Sequence, residues 1–250
     1  MARHGGKKTL KRFNTPKYMQ LKRKHGTFFV NPSPGPHTKR FSLTLLHIIR
    51  DHLKIVDNYR EAKKLIGLGY FKVDGRTIKD KAFPLGLMDV LSIEKINTHY
   101  RILPDSHHGL ILHEISAEES IYKLCRIDEK TTIKGGHIQL NLHDGRNILI
   151  TVKDPKNPKE DIYKRMDVLK ISVPEQEILK VYRFKEGNLA IIMSGKNIGQ
   201  VGKIINILKR FGPKASTVSI QHDSDHTETL YDYTFIIGEE QAEINLPSII

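Results

Sequence analysis

Short runs of β-prone residues, separated by turn residues, fill the chain beyond residue 102 and constrain its fold more than any other feature. Runs at this spacing are typical of strands that close into barrels or stack as sandwiches. One helical interruption is expected over 116–124, because Ser116 and Glu119 have the spacing of a capping box. The predicted strands cover residues 109–115, 123–127, 137–142, 148–152, 168–173, 178–184, 189–193, 200–207, 217–221 and 231–237.

Between residues 41 and 103, the first part of the segment has the apolar periodicity of helices. Apolar residues recur every four positions from Phe41 to Leu53, which predicts an amphipathic helix over 41–53. A second helix is expected to begin at a capping box formed by Asn58 and Glu61 and to end at the glycines that follow residue 66. The plan of this region is therefore two helices followed by β structure.

A β-hairpin is predicted after the second helix. Asp74-Gly75 lies between two β-prone runs, which is a strong short signal for a hairpin turn, and a further strand is expected over 90–96. Basic residues of the helix and the hairpin would line one concave surface if the helix packs beside the hairpin, a geometry that suits a nucleic-acid backbone. An ordinary solvated helix face is the alternative. These residues are Arg60, Lys63, Lys64, Lys72 and Arg76.

The positive charge of the chain is concentrated in its first 40 residues. The whole chain has 41 Lys and Arg against 28 Asp and Glu, yet residues 1–40 contain no acidic side chain. A segment rich in Lys, Gly and Pro cannot bury enough apolar surface to fold alone, so we expect an extended arm that orders on a polyphosphate backbone. A solvated tail without a specific partner is the alternative. The basic residues of the arm are Arg3, Lys7, Lys8, Lys11, Arg12, Lys17, Lys22, Arg23, Lys24, Lys39 and Arg40.

Several classes of protein are disfavoured by what the sequence lacks. A single cysteine, Cys125, allows no disulfide framework or multi-cysteine zinc site, and is expected to be a small core residue. We find no apolar run of membrane-spanning length and no signal-peptide core, so we expect a soluble protein that is not secreted. The polar segment 222–228 contains two histidines and three carboxylates, but is expected to be an exposed hairpin tip rather than a metal site.

The glycines between residues 187 and 207 invite a phosphate-binding interpretation that the spacing does not support. A Walker loop ending at Gly202-Lys203 needs glycine at 197 and serine or threonine at 204, where the chain has Asn197 and Ile204. A dinucleotide-binding fingerprint fails at Asn197 as well. The segment instead fits a strand, a turn and a second strand that begins where the backbone bends sharply, as in a small barrel.

Two stretches resemble known RNA-binding modules. The run Glu-Ala-Lys-Lys-Leu-Ile-Gly over 61–67, with the hairpin after it and Gly86-Leu-Met-Asp-Val-Leu-Ser-Ile over 86–93, resembles the S-four-type RNA-binding domain. That resemblance implies RNA contacts from the helix and hairpin cations. The run Met-Ser-Gly-Lys-Asn-Ile-Gly-Gln-Val-Gly-Lys over 193–203 resembles a KOW motif, an RNA- and protein-binding element. It implies that Lys196, Asn197 and Lys203 lie in or beside a binding loop.

The order of these modules is similar to one family along nearly the whole chain. With Pro-Ser-Pro-Gly-Pro-His over 32–37, Tyr-Lys-Leu-Cys over 122–125 and His-Asp-Gly-Arg over 143–146, the chain resembles the S-four-e family of archaeal and eukaryotic small-subunit ribosomal proteins. The family usually ends in a basic extension, whereas this chain has seven acids and no Lys or Arg after Lys214. We therefore expect a shortened, acidic C-terminus, for which the reduced ribosomes of a streamlined eukaryote would be a natural setting.

The resemblance implies a non-enzymatic constituent of the small ribosomal subunit that binds its RNA, supports assembly and translation, and contacts neighbouring ribosomal proteins. It implies the cytoplasmic ribosome, with nuclear or nucleolar transit during assembly, and no membrane, cofactor, metal or small-molecule substrate. A non-ribosomal translation or transcription factor that binds RNA is the first alternative. An RNA-modifying enzyme such as a pseudouridine synthase is the second, and is disfavoured because Asn147 stands where a catalytic carboxylate would be needed.

The expected fold class is α+β. We predict an extended basic arm over 1–40, a helix-helix-hairpin RNA-binding domain over 41–103, a β-rich central domain over 104–175 and a KOW-type barrel over 176–250. The expected RNA contacts are the arm cations and His37, the helix and hairpin cations, and Lys196, Asn197 and Lys203.

Overall fold

The computed structural model of the chain describes residues 9–16, 19, 21, 26–106, 109–154, 158–210, 212, 214–222 and 225–247. Within these ranges the fold is mixed, with mostly strands and few helices, as the α+β expectation requires in outline. Three five-stranded antiparallel sheets form its framework. No helix in the described ranges has the length and apolar character needed to cross a membrane.

The strands, in chain order, are β1 Leu10–Lys11, β2 Phe28–Phe29, β3 Ser42–Thr44, β4 Phe71–Val73, β5 Arg76–Thr77, β6 Pro84–Gly86, β7 Val90–Ile93, β8 Thr98–Asp105, β9 Gly109–Ile115, β10 Tyr122–Thr132, β11 Ile138–Leu142, β12 Asn147–Ile150, β13 Val168–Ser172, β14 Ile178–Tyr182, β15 Leu189–Ile192, β16 Val201–Leu208, β17 Thr217–His222, β18 Asp225–Leu230 and β19 Thr234–Gly238. The helices are α1 Leu45–His47, which continues as a π-helical turn Ile48–His52, and α2 Tyr59–Gly67. Short 3-10 turns lie at Arg12–Asn14, Lys39–Phe41, Glu119–Ile121 and Tyr231–Tyr233.

Each sheet has its own hydrophobic core. The first sheet has the strand order β5-β4-β7-β8-β9 and packs against α1, α2 and the described part of the arm. The central sheet has the order β12-β11-β10-β13-β14, and the third sheet the order β18-β17-β16-β15-β19. Residues of the first and central sheets, including Leu103 and Leu124, extend into the third core, so the sheets are packed against one another.

The first predicted helix is shorter than expected. Residues 42–44 form β3, which pairs with β6, and the helix begins only after Thr44. The Thr44 hydroxyl accepts the backbone N–H of His47 at 3.4 Å and caps the helix, which begins four residues later than the apolar period suggests. The second helix is confirmed as α2, although the Asn58 side chain donates to the Glu61 carboxylate rather than capping the backbone.

The basic arm is not extended over the residues that the structure describes. Leu10 and Met19 are buried in the first core, and β1 pairs with β2 in a short hairpin. A ring nitrogen of His47 lies 2.7 Å from the backbone carbonyl of Met19 and ties this part of the arm to the helix. The composition argument is wrong here because the apolar residues scattered through the arm, too few to fold alone, add to a core that the body of the chain supplies.

The hairpin and the later strands agree well with their predictions. Asp74 and Gly75 form the predicted turn with φ of 48° and 73°, the left-handed region that favours Asp and Gly. Every strand predicted beyond residue 109 overlaps an observed one. Only a 3-10 turn forms within the helix predicted over 116–124, because residues 122–124 begin β10.

Six strands were missed by the sequence analysis: β1, β2, β3, β6, β8 and β18. The largest consequence comes from β8, which pairs with β9 along its whole length. The first sheet therefore continues to Ile115, and the division expected between residues 103 and 104 cuts through one of its strands.

Candidate nucleic-acid interface

The helix α2 presents three cations to solvent. Ala62 and Ile66 are fully buried against the first sheet, while Arg60, Lys63 and Lys64 on the opposite face are exposed. None of these three side chains forms an ion pair or hydrogen bond with another described residue. The helix therefore combines a fixed position with unneutralised positive charge, as a phosphate-binding surface requires.

The hairpin cations divide between the two faces of the first sheet. Phe71 and Val73 point into the core shared with α2, so Lys72 between them points to the other face, where it forms an ion pair with Glu94. Arg76 pairs with Val73 across the turn and therefore shares the side of the sheet on which α2 packs, exposed at the edge. Arg76 therefore lies on the same side of the first sheet as α2, whereas Lys72 lies on the other side.

The described arm cations lie at two places on the surface. Lys11 is exposed on β1, with half-buried Arg12 and the exposed ring of Phe13 in the turn that follows. Lys39 and Arg40 are exposed in the 3-10 turn that leads into β3. The other expected arm contacts lie outside the described residues: Arg3, Lys7, Lys8, Lys17, Lys22, Arg23 and Lys24.

His37 is buried, contrary to the expectation that it contacts RNA. Its side chain is 6% exposed, and its Nε2 lies 2.9 to 3.0 Å from the Asp89 carboxylate. The ring also occupies the space above Gly86, where an added Cβ would lie 2.3 Å from it. His37 therefore anchors the arm to β6 and to the turn that leads from β6 into β7.

The remaining expected contacts lie in the loop between β15 and β16 and on β16 itself. Lys196 is exposed and Asn197 half-buried in this loop, and Lys203 is exposed on β16. The backbone approaches its neighbours closely at two glycines: an added Cβ would lie 2.8 Å from the Ser106 nitrogen at Gly199 and 2.1 Å from the Gln221 carbonyl oxygen at Gly202. These glycines are needed for packing, which explains the glycine pattern without a phosphate-binding loop.

A buried ion cluster joins the arm, the first sheet and the central sheet. Lys123, fully buried on β10, donates to the carboxylates of Asp74, Asp89 and Asp144 at 2.9, 2.5 and 2.9 Å. Arg146 adds contacts to Asp74 at 2.6 Å and to Asp144 at 3.1 Å. We call these five residues, with His37 on Asp89, the junction cluster. Sequence reasoning missed it, although its members lie in the motifs that carried the family resemblance.

Mutual neutralisation holds the junction cluster in its charged form. Burial by itself disfavours the charged amine, but the three carboxylates outweigh it and raise the pKa of Lys123 well above its usual value. Burial likewise opposes ionisation of Asp89, but His37 and Lys123 hold its pKa well below the usual range. The cluster is thus a set of structural ion pairs rather than an acid-base centre.

Cys125, His143 and Asp144 place three potential metal ligands within 4.8 Å of one another, but they do not fit a metal ion. Asp144 already accepts from Lys123 and Arg146. His143 accepts the backbone N–H of Arg126 through Nδ1 and has Nε2 3.2 Å from a carbonyl oxygen. Burial raises the pKa of the Cys125 thiol well above its usual value, so the thiol stays protonated in the core, as the sequence predicted for its position.

Comparison with known proteins places these features in a family. The model described as "Ribosomal family S4e" matches residues 96–178, and the model "RS4NT (NUC023) domain" matches residues 4–40. The chain is 50% identical to "Small ribosomal subunit protein eS4" of Staphylothermus marinus over 99% of this chain and 98% of that protein. It is 47% identical to the protein of the same name from Methanocaldococcus jannaschii over 98% of this chain and 100% of that protein.

A solved structure and the lengths of the relatives complete the comparison. The crystal structure of the 30S ribosomal protein S4e from Thermoplasma acidophilum is 34% identical, with a TM-score of 0.67, and covers 79% of this chain and 95% of that chain. Because the match spans the relatives almost completely, the C-terminus is not shortened relative to them. With about half of all positions identical over nearly the full length, the chain belongs to the ribosomal S4e family.

Proposed function

We propose that the chain is a structural constituent of the small ribosomal subunit that binds small-subunit ribosomal RNA and supports subunit assembly and translation. The observation that carries the proposal is the face of α2, where Arg60, Lys63 and Lys64 are exposed and have no carboxylate partner among the described residues. Relatives along the whole chain are named small ribosomal subunit proteins. The family is one of ribosomal proteins, which is not an enzyme class.

The mechanism is electrostatic and geometric, without turnover. Cations on α2, on the arm and on the loop after β15 neutralise phosphates and release condensed counterions, which supplies affinity. Packed sheets fix the spacing between these cations, so that the fold of the RNA is recognised by shape and by contacts with phosphates and 2′-hydroxyl groups. The junction cluster contributes by keeping the arm, first sheet and central sheet in one arrangement.

The division of the chain follows the sheets in this proposal. The arm comprises residues 1–40, and an S-four-type RNA-binding unit begins at residue 41 and, extended to the end of β9, reaches residue 115 rather than 103. A β-rich central unit and a KOW-type barrel from about residue 176 follow, supported by the separate core of each sheet. In the barrel, Lys196, Asn197 and Lys203 remain the proposed contacts.

Neighbouring ribosomal proteins are the other proposed partners, within ribosomes of the cytoplasm. Nuclear or nucleolar transit, which the family resemblance implied, stays a prediction. A transient RNA-binding factor is the competing function, and an RNA-modifying enzyme is less favoured because the family is not an enzyme class.

Sedimentation of cell extract distinguishes the structural role from the transient one. We expect the protein in stoichiometric amount in small subunits that have been washed with high salt, because a structural constituent is held by many buried contacts. Recovery only in the free fractions, or complete loss during the salt wash, would support the transient factor instead.

A further inference from the structure

A cleft lies where the arm, the first sheet, the central sheet and the third sheet meet. It encloses about 280 Å³ and is lined on opposite elements by two aromatic side chains, Phe41 after the arm and Tyr233 before β19. Leu87 and Met193 supply further apolar lining. A volume near the lower end of ligand pockets, which span roughly 300–1,000 Å³, suits one planar group rather than a large ligand.

Arg126 forms part of the polar lining of the cleft, and its own hydrogen bonds hold it rigidly there. Its Nε donates to the Asp128 carboxylate at 2.8 Å, and one terminal nitrogen donates to the backbone carbonyls of Asp232 and Thr234 at 2.7 and 3.0 Å. The other terminal nitrogen has no hydrogen-bond partner among the described residues. The second carboxylate oxygen of Asp128 is likewise unpartnered there, on a side chain that is 40% exposed. A fixed donor and a fixed acceptor therefore lie beside the aromatic lining.

Positive charge adjoins the cleft at the arm. Lys39 and Arg40, both exposed, directly precede Phe41 in the same 3-10 turn. A ligand that suits this arrangement has a planar ring with hydrogen-bonding edges and negative charge beside it. An unstacked nucleotide has this combination, and aromatic side chains are the usual stacking partners of such bases.

We propose that this cleft holds one unstacked base of the bound RNA, and this inference rests on the proposed function. The base stacks on Phe41 or Tyr233, its edge meets Arg126 and Asp128, and the flanking phosphates lie towards Lys39 and Arg40. This site acts in addition to the α2 surface, because it recognises a base that has left its helix instead of a helical backbone.

The test uses the full-length protein and in vitro transcribed small-subunit ribosomal RNA. Two variants alter the cleft without changing charge: Phe41→Ala removes a stacking surface, and Ser194→Phe fills the space. Leu179→Ala is the matched control, because Leu179 is 56% exposed on β14, away from the cleft. Thermal unfolding of each variant verifies that the fold is retained.

We expect Phe41→Ala and Ser194→Phe each to weaken binding about fivefold or more, since base stacking on an aromatic residue makes a contribution of that size. The salt dependence of binding should not change, and Leu179→Ala should bind like wild type. Ultraviolet crosslinking of the wild-type complex should place a nucleotide adduct on the peptide containing Phe41 or Tyr233, and Ser194→Phe should abolish that adduct.

Different failures identify different errors. If wild type binds the RNA but both cleft variants bind equally well and no adduct maps to the cleft, the inference is overturned while the proposed function stands. If both variants bind naked RNA normally but fail to enter reconstituted subunits, a protein segment occupies the cleft and the inference is again overturned. If wild type itself does not bind the RNA, the proposed function fails and the inference fails with it.

Discussion

The junction cluster and the exposed face of α2 contain the same kinds of side chain in opposite settings. Lys123 is fully buried and donates to three carboxylates, whereas Lys63 is exposed with no described partner. A buried charge must be neutralised inside the protein, while an exposed one remains available to an external polyanion. Burial and partners, rather than residue type, therefore decide which cations stabilise the fold and which can bind RNA.

The largest expected effect is the loss of stability when the buried junction cluster is altered. Lys123→Met leaves three carboxylates with too little positive charge, so we expect unfolding to require about 3–5 kcal/mol less free energy, as measured by urea denaturation. Lys130→Met is the matched control: Lys130 lies further along β10 and pairs with Asp161 in a more exposed position, and its loss should cost under about 1 kcal/mol. Equal effects of the two variants would contradict a structural role for the junction cluster.

The RNA-binding role of the exposed α2 face is tested by replacing Arg60, Lys63 and Lys64 together with alanine. The fold should be retained, while the slope of log affinity against log salt should fall by about two units and RNA affinity by about 100-fold at 0.1 M salt. Filter binding over a salt series measures both quantities. Unchanged binding would show that these three cations form an ordinary solvated helix face that does not contact RNA. The control is a triple alanine variant of exposed lysines outside the expected contacts: Lys153, Lys159 and Lys185.

His143 lies beside the junction cluster and makes the free energy of unfolding depend on pH. Burial lowers its pKa to about 4, so the folded state keeps the ring neutral where the unfolded chain takes up a proton. This contribution is present above the unfolded pKa of about 6.5 and declines as the pH falls towards 4, by about 2 kcal/mol between pH 7 and pH 5. His143→Asn should remove that part of the dependence in denaturation series at both pH values. His226→Asn, on the exposed β18, should leave it intact.

The smallest expected effect is a difference in RNA affinity between alanine variants of two residues in one hairpin, Arg76 and Lys72. Arg76→Ala should weaken RNA binding several-fold, whereas Lys72→Ala should change it less than about twofold, because Lys72 lies on the other face and is paired with Glu94. Competitive binding of the two variants to the same RNA measures the difference. A larger effect of Lys72→Ala would show that both faces of the first sheet contact RNA.

Local signals were sufficient to predict much of the fold. The helix α2 follows from its apolar period and its charged outer face, and the turn at Asp74 and Gly75 follows from the left-handed backbone that these residues tolerate. The strands beyond residue 109, apart from β18, follow from β-prone runs between turn residues. In each case the information lies within a few neighbouring residues.

Features that depend on distant partners were not predictable in this way. The strand β8 contains Arg101, which is buried because it pairs with Glu119 at 2.8 Å from a segment 18 residues away. Leu10 and Met19 occur in a run of cations that indicates disorder by composition, yet they are buried by the helix region. His37 was expected to contact RNA, and its burial depends on Asp89 and Gly86, which lie about 50 residues further along the chain.

The sequence by itself determined the family, the helix α2, the turn at Asp74 and Gly75 and most strands beyond residue 109, because helix faces, turns and family motifs are local patterns. It also determined that the positive charge is concentrated in the first 40 residues. Only the tertiary structure decided what each charge does, because an ion pair between Lys123 and Asp74 joins residues 49 positions apart that meet solely when the sheets pack. The same packing buries His37, turns Lys72 away from α2 and creates the cleft beside Phe41.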